Sequence, residues 1–172
     1  MDTLAVFDKK NYDPSLPRCI RNTARAIIYA GGKIALHYCA KDDVYIFLGG
    51  GVEDGETHAG ALIREVREEA GLVVKPSTIK PFGMAAEIRK DSHAEAIYEK
   101  RFFYYTCEVE EATVRPALTE DEQAGGYGLA FVSVDGAIAA NERNPRGRQF
   151  DIEAETYVLR LLRDKGVPQA IS

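Results

Sequence analysis

A chain of 172 residues, 45% apolar and 28% charged, is large enough to bury one substantial core and has the composition of an ordinary globular domain. Its formal net charge of −5 argues against a broad basic surface for duplex DNA or RNA. A nucleotide is not excluded, because a bound cation reverses the local sign of a site.

In chain order, residues 1–20 carry Pro14 and Pro17 and read as an irregular arm, with a single domain expected over 21–172. Residues 24–30 and 33–39 are β-rich runs flanking Gly31-Gly32, a pair suited to a tight hairpin turn. "VYIFL" (44–48) is a short strand leading into glycines. A helix follows up to Gly71, then extended segments from Val73 and through "TIKPFGMAAEI". Residues 96–109, dense in aromatic and β-branched side chains, give the strongest strand signal. "PALTEDEQAGGYG" reads as a loop, and "GLAFVSV" (128–134) as a strand. Asp135 is placed to cap a short helix. A last helix spans about 151–164, with Ala154, Tyr157, Val158, Leu161 and Leu162 at helical spacing and Gly166 and Pro168 ending it. Strands alternating with a central and a terminal helix predict an α/β layer structure around a mixed sheet.

No stretch nears the roughly 18 consecutive apolar residues of a membrane helix, and the N-terminus shows no secretory pattern. Cys19, Cys39 and Cys107 are widely spaced, which argues against a zinc site. Reduced thiols in a cytoplasmic protein, away from any membrane, are the expectation.

The stretch "GGGVEDGETHAGALIREVREEAGL", Gly49 to Leu72, carries the chemistry. At about 100° per residue, with Glu65 as origin, Glu68 falls at about 300° and Glu69 at about 40°. Three carboxylates thus share one arc. Leu62, Ala59, Val66, Ala70 and Ile63 occupy the adjoining, core-directed one. Thr57 is a good N-cap and Gly71 a good left-handed C-terminal residue, after which Leu72 can fold back on Val66.

A solvated acidic face is one reading of such a run. The other starts from the shortage of neutralising partners: only Arg64 reaches Glu68, four residues on. Convergent carboxylates without partners are what a hard divalent cation requires. The glycines before the helix let the backbone turn sharply, yet they form neither a P-loop nor a dinucleotide fingerprint.

The segment resembles the Nudix box, G-x5-E-x7-R-E-U-x-E-E-x-G-U with U aliphatic. Gly50, Glu56, Arg64, Glu65, Val66, Glu68, Glu69, Gly71 and Leu72 match every fixed position. The resemblance implies the Nudix fold, a mixed β-sheet between helices (α/β/α). It implies hydrolysis of the pyrophosphate linkage in a nucleoside diphosphate joined to another moiety, by water attack at phosphorus. Glu65, Glu68 and Glu69 would bind magnesium, or manganese in its place, often with the Gly49 carbonyl. Glu56 and Arg64 would pair to fix the loop against the helix. Glu65 is the general-base candidate within the box; Glu120 and Glu122, in the later loop, are the alternatives, with Asp121 behind them.

Substrate contacts are less defined. Tyr98, Phe102 and Tyr104 share one strand face and Phe103 and Tyr105 the other; one set belongs to the core and the other is free to stack on a base. Arg89, Lys100 and Arg101 are candidates for phosphate contacts. His37, His58 and His93 are scattered and receive no role. Ala86-Glu87-Ile88, in the region where subfamilies carry specificity residues, matches neither the proline nor the tyrosine pattern. Many relatives pair as dimers, which makes a homodimer an expectation. Two alternatives remain: isopentenyl diphosphate isomerisation, for which no matching cysteine context is found, and a catalytically silent Nudix-fold regulator that binds nucleotide.

Overall fold

Strands whose two faces are both apolar organise the molecule. Ile27, Ile34 and Leu36 point into one core, and Ala24, Ala26, Ile28 and Ala35 into the other. Such strands must be covered on both sides. The computed structural model describes residues 1–144 and 152–166. Strands β1 (Thr3–Asp8), β2 (Arg18–Ile27), β7 (Lys80–Lys90) and β8 (Ile97–Thr106) form a sheet in the order β1-β7-β8-β2. It is mixed: β1 runs parallel to β7 and β2 parallel to β8, while β7 and β8 are antiparallel. A second sheet joins β3 (Tyr29–Ala30), β4 (Lys33–Cys39), β5 (Val44–Phe47) and β10 (Tyr127–Val132), with β4 paired to the other three. β6 (Leu72–Val74) and β9 (Val109–Thr113) make a small ladder apart.

Helix α1 (His58–Ala70) covers one side through the fully buried Ala61, Leu62 and Val66. Helices α3 (Val134–Arg143) and α4 (Ile152–Lys165) cover the other through Ile138, Ala154, Val158, Leu159 and Leu162. Burying each large aliphatic chain stabilises the fold by about 1.5–3 kcal/mol. The expected α/β sandwich is the observed architecture. No helix among the described residues is long and apolar enough to cross a membrane.

Five local expectations need correction. Residues 1–20 are not irregular throughout: Thr3–Asp8 adds as a strand to the open edge of β7. There Phe7 meets the Tyr157 ring edge-on at 5.8 Å, and the Tyr157 hydroxyl donates to the Leu4 carbonyl at 3.2 Å. β2 begins at Arg18, six residues before the apolar run, because its exposed first half is held by ladder bonds to β8 rather than by burial. The expected strand at 96–109 is two, β8 and β9. Ser133, not Asp135, caps α3: its hydroxyl accepts from the Gly136 N–H at 3.1 Å, and Asp135 lies within the first turn. The segment read as a loop after residue 115 contains helix α2 (Glu120–Gly125). The Gly31-Gly32 turn is as expected, both residues having positive φ (57° and 74°). Residue 151 and Pro168, assigned to the last helix and its end, lie outside the described residues.

Candidate active site

The glycine turn and α1 are built against each other. Gly49 has φ of 123°, and a Cβ there would stand 2.1 Å from the Ala24 carbonyl oxygen, so only glycine follows this path. Its N–H donates to Glu69 Oε2 at 2.7 Å, tying the turn to the end of the helix. Its carbonyl accepts from the Arg25 guanidinium. A Cβ on Gly50 would fall 2.4 Å from the Glu65 carboxyl carbon, so the bare backbone there makes the room that Glu65 occupies.

Arg64 is the hinge pin of the loop. It grips Glu56 with two bonds, Nε to Oε1 at 3.0 Å and Nη2 to Oε2 at 2.9 Å, and donates to the Gly51 carbonyl at 3.0 Å. Its remaining nitrogen touches Glu65 at 2.7 Å and Glu68 at 3.5 Å. The expected Glu56–Arg64 pair is present, and the reach to Glu65 is additional. Thr57 caps α1 by accepting from Gly60 N–H, and Gly71 closes it in a left-handed conformation with φ of 67°.

Environment divides the three helix carboxylates. Glu68 is about half exposed, whereas Glu69 is 8% exposed. Burial pushes the Glu65 carboxyl above its usual range; Arg64 opposes this, and the charges of Glu69 and Glu68 add to it. Glu56 moves the other way, held low first by its bonds from Arg64 and then by the Glu53 N–H.

Glu65 and Glu69 face a cavity of about 610 Å³ that is also lined by Gly49, Gly50, Asp121 and Glu122. Thr119 caps α2 in a reciprocal box: its hydroxyl accepts from Glu122 N–H at 3.3 Å, and Glu122 Oε2 accepts from Thr119 N–H at 2.7 Å. The cap therefore orients Glu122 at the cavity wall. Glu120 is exposed on the same helix and Glu68 on α1; neither lines the cavity. One ligand atom each from His37, Glu69 and Glu122 lie within 4.8 Å of one another. Together with Glu65 this is an oxygen-rich set with one imidazole, and its chemistry fits a divalent cation.

The candidate substrate residues are not drawn into this cavity. Arg101 pairs with Glu99 at 2.7 Å. Arg89 lies over the Tyr98 ring at 4.6 Å and Lys100 over Phe102 at 5.0 Å. Tyr98 lines a second hollow of about 500 Å³ with Arg21, Asn22 and Glu56. Phe102 and Tyr104 are the core set. Phe103 and Tyr105 pack on His58, whose Nδ1 lies 2.8 Å from the Tyr105 hydroxyl.

Sequence reasoning missed Arg25, His37 and α2. Arg25 and His37 sit singly in apolar strand runs and carry no local signature. For α2 a signal existed: Thr119-x-x-Glu122 is the capping-box pattern.

A glycine turn locked to a carboxylate-bearing helix, inside a mixed-sheet sandwich, defines a class of α/β protein built around an acidic platform. The chain belongs to the NUDIX family, whose domain model matches residues 21–151. Over 57 residues it is 39% identical to a nucleoside triphosphatase, NudI, of Enterobacter sp. (strain 638); this covers 33% of the chain and 40% of that relative's length. It is also similar in structure to a NUDIX hydrolase from Nitrosomonas europaea, with TM-score 0.57 and 19% identity over 90% of this chain and 96% of the other. A MutT NUDIX hydrolase from Burkholderia pseudomallei gives TM-score 0.50 and 17% identity, covering 68% and 85%. At these identities the structural likeness speaks for the fold alone.

Proposed function

We propose that this protein is a divalent-metal-dependent pyrophosphohydrolase that cleaves a phosphoric anhydride in a nucleoside diphosphate linked to another moiety. The observation that supports this most is the convergence of Glu65, Glu69 and Glu122 from two helices on one cavity beside a clamped glycine turn. Bound magnesium or manganese would supply charge neutralisation at the phosphates and a more acidic attacking water.

The chain's own residues do the rest. Glu65, Glu69 and Glu122 provide the carboxylates that hold the cation, with Glu68 at the exposed rim. Glu65, whose carboxyl binds its proton more tightly than usual, is the first candidate to accept the proton of the attacking water, and Glu122 the second. Arg64 and Glu56 hold the turn so that the Gly49 and Gly50 backbone keeps its distance from the helix. Anionic phosphates would otherwise be repelled by this surface, so substrate and cation are expected to bind together. A nucleoside triphosphate is one substrate of this class, in keeping with the name of the Enterobacter relative. A cytoplasmic location accords with the free thiols of Cys19, Cys39 and Cys107.

The test is turnover of nucleoside triphosphates, nucleotide sugars and dinucleotides with magnesium or manganese, scored by the phosphate-containing products. Activity that disappears in a folded Glu69→Gln variant is the expected result. Tight nucleotide binding without turnover across the panel would replace this reading with a silent binding protein.

A further inference from the structure

His37 has no place in the acidic box, yet it lies at the centre of the site. It sits on β4, 1% exposed, and lines the same cavity as Glu65, Glu69 and Glu122. Its Nε2 is buried with no hydrogen-bond partner among the described residues. Its Nδ1 stands 3.5 Å from Glu69 Oε1, too far for a good hydrogen bond. A buried imidazole with neither nitrogen properly satisfied is costly unless something else binds it.

The spacing suggests what that is. Two donors about 2.1 Å from one cation, at right or tetrahedral angles, stand about 3.0–3.5 Å apart. The separation of Nδ1 and Oε1, 3.5 Å, is at the upper end of that range, and one ligand atom of Glu122 lies within 4.8 Å of one from each of His37 and Glu69. The neighbouring Tyr127 ring, 4.8 Å away between centroids, restricts where the imidazole can turn.

We propose that His37 supplies a nitrogen ligand to the cation held by Glu69 and Glu122, and that this mixed site takes manganese in preference to magnesium. This rests on the metal-dependent reading above and adds to it a nitrogen donor from outside the acidic helix. Magnesium favours oxygen ligands and sheds its waters reluctantly. Manganese also accepts carboxylates, but as a transition-metal ion it takes an imidazole nitrogen more readily than magnesium does, though less strongly than the later ions of its row. A purely carboxylate site would discriminate less.

The measurement is electron spin-echo spectroscopy of the manganese-loaded, tag-free protein. Modulation from a directly bound nitrogen is expected. It should vanish in His37→Gln with manganese still bound, and calorimetry should show the manganese-to-magnesium affinity ratio falling by about tenfold. The chain has three histidines, so a His58→Gln, His93→Gln double variant retains His37 alone and should keep the modulation; this arm stands even if His37→Gln does not fold. Manganese bound without nitrogen modulation overturns the proposal and leaves a metal-dependent hydrolase intact, as does modulation that persists in His37→Gln. Failure to bind either ion, with or without nucleotide, overturns both.

Discussion

Arg25 and Glu155 form an ion pair at 3.0 Å, shielded from water, directly behind the glycine turn. Arg25 lies on β2 and also donates to the Gly49 carbonyl. Glu155 lies on α4, and its other oxygen accepts from the Phe47 N–H at 3.1 Å. The helix on the far side of the sheet is thereby connected to the turn that carries Gly49, and through the Gly49 N–H to Glu69. Removing one member of such a pair strands a buried charge. Glu155→Ala should lower unfolding stability by about 3–5 kcal/mol in urea titration. An Arg25→Met, Glu155→Leu double variant should regain most of that loss but bind the cation more weakly, because Gly49 has lost its donor. A double variant with unchanged metal affinity would show that Arg25 serves stability alone.

The burial of Glu65, with the charges of Glu69 and Glu68 adding to it, gives a prediction of opposite sign. Its folded-state carboxyl lies above the unfolded value of about 4.3. Below that pH both states carry the proton and there is no penalty; as pH rises through the folded pKa, ionisation costs the native state. Glu65→Gln should therefore raise the thermal midpoint of the metal-free protein at pH 7, with the advantage fading near pH 4. Cation reverses the order. At about 100 times its dissociation constant it should stabilise the parent by about 2.7 kcal/mol, and the variant by much less. Chelator should remove the difference.

Glu56 titrates in the other direction. Its carboxyl is held low, first by the Arg64 bonds, so its contribution is present above the unfolded pKa and is lost as pH falls through the lower, folded one. Arg64→Lys keeps a charge but cannot make the two-pronged contact with Glu56 while also reaching Gly51 and Glu65. We expect turnover to fall by about tenfold or more with a small change in melting temperature, since the positioning and not the core is damaged. A loss of stability matching the loss of turnover would mean the clamp is chiefly structural.

How much of this could be read from the chain depended on whether the cause was local. The α1 platform was legible because its apolar stripe, its cap at Thr57, its stop at Gly71 and its carboxylate arc are all set within fifteen residues. The Arg64–Glu56 clamp was expected only through the resemblance of the box. β1 was hidden because its partner, β7, is some eighty residues away, and the six residues Thr3–Asp8 expose Val6 instead of showing a clean alternation. Arg25 and His37 were illegible for a related reason. A lone polar residue in an apolar strand becomes meaningful only when Glu155 or Glu69 arrives from a distant helix. The substrate candidates on β7 and β8 were the least legible, because a cation on a strand is as easily satisfied by Glu99 or by the Tyr98 and Phe102 rings as by a ligand.

Helix α2 offers the sharpest separation of folding from chemistry. Both bonds from Thr119, N–H and hydroxyl, fall on Glu122 Oε2, at 2.7 and 2.8 Å. The other carboxylate oxygen can serve a cation without giving up the cap. Thr119→Ala removes the hydroxyl and should destabilise this six-residue helix by about 1 kcal/mol. If Glu122 is held for catalysis by its cap, the same variant should also reduce turnover, as the carboxylate then samples several rotamers. Glu122→Gln provides the contrast: the amide oxygen still accepts from Thr119, so α2 should stay folded while cation affinity and turnover fall. Protection of the Gln123 and Gly126 amides in hydrogen exchange reports the helix, because these N–H groups donate to Thr119 and Gln123 carbonyls. Full protection with parent-level turnover in Glu122→Gln would remove that residue from the active site and leave Glu65 as the base.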